Sequence, residues 1–148
     1  MTDIAIFPDS CPIERFDNVV ELPNGLRVIG REDVNFPEAV YEFLSVPYAT
    51  PPVGKKRFEE TLPFPDIIGF SGRLIWNGTD NMNSCIQPEK ALNDTRQSES
   101  CLFLNVYTPR GFQANSKKYP VLVYFHAGGF MAGSSAMNSG AELTARLA

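Results

Sequence analysis

The segment that most constrains the fold is Val121-Leu122-Val123-Tyr124-Phe125, followed at once by His126-Ala127-Gly128-Gly129-Phe130. The first five residues are all apolar, mostly β-branched or aromatic, with no polar alternation. They predict a strand buried on both faces. Strands of that kind belong to parallel sheets covered on both sides, so the run predicts an α/β fold. The two adjacent glycines let backbone N–H groups approach a ligand where side chains would block them.

The chain has 148 residues, 43% of them apolar, enough to bury one core. Its net charge is −4, and its 13 Lys and Arg residues are dispersed apart from Lys55-Lys56-Arg57 and Lys117-Lys118. This balance argues for a solvated surface and against nucleic acid as a partner. No run reaches the roughly 18 apolar residues of a membrane helix. The start, Met1 to Asp9, has no basic region, and its apolar run stops after four residues, unlike a signal peptide. Three cysteines, Cys11, Cys85 and Cys101, leave at least one thiol free or paired with another molecule. None has metal-ligand spacing to another cysteine or to the single histidine, so neither metal nor cofactor is expected.

Residues 1–18 read as irregular. Val19 to Leu22 and Leu26 to Ile29 read as strands around Pro23-Asn24-Gly25, a hairpin in which both Asn24 and Gly25 are expected at positive φ. Val40 to Val46 reads as a strand that Pro47 ends, and Pro51-Pro52-Val53-Gly54 as a rigid connection. Residues 59–100 read mostly as loop, and a loop that long needs a function or a covalent tie. Leu102 to Tyr107 is the next strand, then a polar turn region from Pro109 to Tyr119. Ser139-Gly140-Ala141-Glu142 reads as a capping box, with Ser139 as cap and Glu142 reaching back to it. Leu143 and Leu147 would then mark one apolar helix face.

Three segments carry a family resemblance. Phe43-Leu44-Ser45-Val46-Pro47-Tyr48-Ala49-Thr50-Pro51-Pro52-Val53-Gly54-Lys55-Lys56-Arg57-Phe58 is similar to F-L-G-I-P-Y-A-x-P-P-V-G-x-x-R-F. Glu99-Ser100-Cys101-Leu102-Phe103-Leu104-Asn105-Val106-Tyr107-Thr108-Pro109 is similar to E-D-C-L-Y-L-N-V-x-x-P, departing at Ser100. Pro120 to Gly133 is similar to P-V-x-V-x-x-H-G-G-G-F-x-x-G, departing at Ala127. In order and spacing these resemble the type B carboxylesterases, the cholinesterase-like branch of the α/β-hydrolase fold. The resemblance implies an N-terminal β-hairpin and the first strands of that fold over residues 19–148, ending before the nucleophile elbow.

The resemblance assigns roles residue by residue. Gly128 and Gly129 match the glycines whose amides form the oxyanion hole, and His126 matches the histidine that supports that loop rather than the catalytic base. Ala127 stands where the first glycine is usual; at positive φ it would cost about 1–2 kcal/mol, and elsewhere it would be silent. Cys85 and Cys101 match the family's first disulfide, and Trp76-Asn77 ahead of them agrees with that register. Arg57 and Glu99 match a buried ion pair. Asn77-Gly78-Thr79 and Asn93-Asp94-Thr95 are glycosylation sequons. Residues 86–98 contain no aromatic, so the choline-binding tryptophan is missing and a choline ester is disfavoured.

No G-x-S-x-G occurs in the 148 residues, and Ser71, Ser134, Ser135 and Ser139 lack that frame. With His126 placed in the oxyanion loop, no histidine is left to serve as base in a Ser–His–acid triad. The expectation is therefore the N-terminal segment of a carboxylic-ester hydrolase acting on a small-molecule ester, inactive by itself. The alternatives are a non-catalytic, neuroligin-like binding homologue or a short regulatory isoform. Without its later neighbours the strand Val121 to Phe125 would leave an open apolar edge. The disulfide and sequons point outside the cell, and the lack of a signal peptide points inward.

Overall fold

The computed structural model describes residues 4–7, 18–65, 73–81, 83–88, 96–112 and 118–148. Cys11, Ser71 and Asn93 lie outside them. The strands are β1 (Ile4–Phe7), β2 (Val19–Glu21), β3 (Arg27–Ile29), β4 (Arg31–Asp33), β5 (Val40–Pro47), β6 (Arg73–Asn77), β7 (Ser84–Cys85), β8 (Gln97–Ser98) and β9 (Phe103–Pro109), followed by helix α1 (Ala141–Leu147). They form one sheet in the order β1-β6-β3-β2, a second in the order β4-β5-β9 and a small β7-β8 pair. The described part is mostly sheet with little helix, consistent with the expected N-terminal part of an α/β-hydrolase fold.

The hairpin of β2 and β3 forms as expected, Val19 opposite Ile29. Its turn differs in detail. Gly25 alone has positive φ, at 83°. Gly25 N–H donates to Leu22 O at 2.9 Å, and Asn24 Oδ1 accepts from Leu26 N–H at 3.2 Å. Three turn residues, with only the last left-handed, make a bulged hairpin rather than a two-residue one.

The two sheets meet at Gly78. Its N–H donates to Ile29 O and its carbonyl accepts from Leu44 N–H, both at 2.8 Å, so one residue joins β3 to β5. A Cβ there would lie 2.7 Å from Ile29 O, which leaves room for glycine only. Around this junction Leu26, Val28, Tyr41, Phe43, Val46 and Trp76 form the buried core, with Phe64, Phe103 and Phe112 packed against it. Trp76 lies 5.8 Å from Phe103 and edge-on to Phe64.

Three expectations are corrected. Residues 4–7, read as irregular, form β1 antiparallel to β6, with Ile4 opposite Trp76. The stretch 59–100 is mostly loop among the described residues, as expected, but also holds β6, β7 and β8; β6 is held by partners far away in sequence, which local composition does not show. Val121 to Phe125 is extended but unpaired, and its side chains are 62% to 88% exposed. A two-faced buried strand needs a ladder on its edges and cover on its faces; β9 pairs with β5 alone, and no strand lies beside 121–125 among the described residues.

The third correction is α1. It starts at Ala141, after Gly140, and the capping box does not close. Ser139 Oγ accepts from Ala141 N–H at 3.1 Å and lies 3.4 Å from the buried Glu42. Glu142 instead pairs with Arg146 one turn on, at 2.7 Å. Leu143 and Leu147 are exposed; the residue α1 buries is Ala141. The helix therefore docks by its first residue and its cap, not by a leucine face.

Candidate active site

The extended segment delivers the chain into a tight loop, residues 126–133. Gly128 has φ 136°, Gly129 60°, Phe130 60° and Gly133 115°. Ala127 is not at positive φ, so alanine there carries no left-handed strain. A Cβ on Gly128 would fall 1.6 Å from Ala132 O, an impossible contact. The carbonyl of Gly128 accepts from the N–H groups of Met131 at 3.0 Å and Ala132 at 3.1 Å. The loop thus closes on itself by backbone bonds that only glycine at 128 permits. Among the described residues the N–H groups of Gly128 and Gly129 have no acceptor, and both residues are exposed.

His126 is exposed and lies against both ends of the loop. Its Nδ1 lies 2.9 Å from Ala127 O. Its ring occupies the space that a Cβ on Gly133 would need, 2.7 Å from Nδ1. No serine hydroxyl is hydrogen-bonded to it among the described residues. Ser134 is buried and its hydroxyl has no partner among them. Ser135 opens a short 3-10 turn, Ser135–Met137.

The loop rests on the disulfide segment. Cys85 and Cys101 are bonded, their Cα atoms 5.0 Å apart. Two residues past Cys85, Gln87 reaches across to Gly133. Its Oε1 accepts from Gly133 N–H at 2.7 Å, and its Nε2 donates to Gly133 O at 3.1 Å. Sequence reading does not single out Gln87, because its partner lies 46 residues further on and belongs to the backbone. Asn105, in the run Leu102-Phe103-Leu104-Asn105-Val106, accepts from Ser45 N–H at 2.8 Å and donates to Asn81 Oδ1 at 3.0 Å and Ser135 O at 3.2 Å.

Arg57 and Glu99 form an ion pair, but not a buried one. Arg57 is 52% exposed and its guanidinium also lies over the Phe58 ring. Phe58 itself is exposed, so nothing seals the pair from water. Such a pair is worth about 0–1 kcal/mol rather than the figure for a buried one. Asn77 is exposed at the end of β6, its Oδ1 accepting from Thr79 N–H at 3.1 Å and Thr79 Oγ1 at 2.7 Å. An open pocket of about 280 Å³ is lined by Thr50, Pro52, Lys56, Glu59, Glu60, Thr61 and Leu62, and no loop residue borders it. No helix among the described residues is long and apolar enough to cross a membrane.

A family model described as the carboxylesterase family matches residues 17–148. The chain is 38% identical over 117 residues to mouse pyrethroid hydrolase Ces2a, covering 72% of this chain and 20% of that protein. It is 32% identical over 140 residues to acetylcholinesterase 1 of Caenorhabditis briggsae, covering 86% and 22%. It is also 35% identical over 118 residues to rat thyroglobulin, covering 79% and 4%. The chain thus spans about a fifth of the length of the first two relatives. With the match running from the β2–β3 hairpin through the glycine loop, the chain belongs to the carboxylesterase family.

Proposed function

We propose that residues 126–133 form the oxyanion loop of a carboxylic-ester hydrolase, with the N–H groups of Gly128 and Gly129 as two of its donors. The observation that carries this is a pair of consecutive backbone N–H groups without acceptors among the described residues, on exposed glycines at positive φ. In such a hydrolase a serine attacks the ester carbonyl, and negative charge gathers on the carbonyl oxygen. Preplaced N–H donors stabilise that oxygen, each worth about 10²–10³-fold in rate. His126 keeps the loop in shape and takes no proton. The serine, base and acid are not among these 148 residues, so the chain supplies donors without a nucleophile. Its substrate is a small-molecule carboxylic ester, with choline esters disfavoured by the aromatic-free stretch 86–98. The disulfide and the exposed Asn77 sequon support an oxidising, extracellular setting.

Two preparations test this. The 148-residue chain is expected to show no mass increase with a fluorophosphonate and no turnover of p-nitrophenyl butyrate. An exchanged esterase, in which this chain replaces the segment it matches in the mouse relative, is expected to do both. Stoichiometric labelling of the chain alone would contradict the missing nucleophile. A folded but inert exchanged esterase would contradict the loop's role.

A further inference from the structure

We propose that Gln87 is a positioning residue that sets the glycine loop from the disulfide segment; this rests on the oxyanion reading of that loop. The carboxamide pairs with both backbone groups of Gly133, as a neighbouring strand would. It is itself held at two points. Gln87 Nε2 also donates to Cys85 O at 3.0 Å, and Gln87 N–H donates to Gln97 Oε1 at 3.2 Å. Cys85 is fixed by its disulfide to Cys101 and by the pairing of β7 with β8. The amide plane therefore projects from a tied base.

Gly133 is the right place to hold the loop. It closes against Ala127 O and the His126 ring, within 3.0 Å of where its Cβ would stand. Those two residues lead directly into Gly128. A shift of Gly133 therefore has to move His126 and Ala127, and with them the first donor. Backbone bonds inside the loop fix its curvature, from Gly128 O to Met131 and Ala132. Gln87 fixes where that curved unit sits relative to the sheet. It touches no reacting atom.

The test replaces Gln87 in two ways. Gln87→Ala removes all three side-chain bonds; Gln87→Glu keeps only the acceptor for Gly133 N–H. Amide hydrogen exchange of the 148-residue chain is read at single residues by mass spectrometry at low micromolar concentration. In Gln87→Ala, exchange at Gly133 is expected to rise about tenfold, the size of one hydrogen bond, while Leu44 N–H, bonded to Gly78 O, is unchanged. Gln87→Glu cannot donate to Gly133 O or Cys85 O and is expected to restore only part of the protection. In the exchanged esterase, Gln87→Ala is expected to lower kcat at least tenfold with KM little altered, the mark of an interaction made in the transition state. Unchanged exchange at Gly133, or equal loosening at Leu44, would overturn the positioning role. Local loosening at Gly133 with unchanged kcat would uphold the clamp and overturn the oxyanion reading instead.

Discussion

Ser45 shows how much a single position can carry. It sits in the middle of β5 at φ 53°, where the ladder to β9 slips between Phe43 and Val46. Glycine stands here in the family run that the segment resembles, and a serine in this conformation costs about 1–2 kcal/mol. The bulge persists because its freed groups find partners. Ser45 N–H donates to Asn105 Oδ1, and Ser45 O accepts from Trp76 Nε1, both at 2.8 Å. Asn105→Ala strands that buried amide and is expected to destabilise the chain by about 1–3 kcal/mol in urea unfolding; a change below about 0.5 kcal/mol would show that the bond is not needed. None of this was legible residue by residue. Asn105 stood in a recognised motif, but its partner lies 60 positions away. The same holds for Gln87, whereas a tight loop at Gly128 and Gly129 is legible, because adjacent glycines after an apolar run suit a backbone that side chains would obstruct.

Elements whose signals are local were read well, and those held by distant partners were not. β2, β3, β5 and β9 follow from apolar periodicity and the turn at Pro23-Asn24-Gly25. β1 and β6 escaped because their pairing joins Ile4 to Trp76 across a stretch of prolines and polar residues. The segment 121–125 fails in the opposite sense: its composition states a buried strand, but a strand is a relation between neighbours, and no neighbour lies beside it among the described residues. The disulfide was legible only through resemblance, since three cysteines leave the pairing open. It ties residues 16 apart and carries β7 at one end. Replacing both cysteines by serine is expected to cost about 3 kcal/mol in the chain-entropy account. Urea unfolding under non-reducing conditions measures it. A loss below about 1 kcal/mol would mean that the β7–β8 pair already orders the loop.

At the scale of the molecule, the core and the candidate site are built differently. The core is closed around Leu26, Val28, Phe43 and Trp76, and the last residue packed against it is Phe112. The site lies beyond it, on a loop reached through five exposed apolar residues and anchored back by Gln87. An exposed run of that size is a surface made to be covered. That contrast fits a chain spanning about a fifth of its relatives' length.

If Gly128 and Gly129 present oxyanion donors, kcat of the exchanged esterase depends on Gly128. Gly128→Ala cannot keep the loop, because its Cβ would meet Ala132 O at 1.6 Å. Gly111→Ala is the control: Gly111 also has positive φ, at 73°, but lies outside the loop. The predicted result is a fall in kcat of about 10²–10³-fold for Gly128→Ala, with KM little changed, and no such fall for Gly111→Ala. Equal kcat in the two folded variants would contradict it.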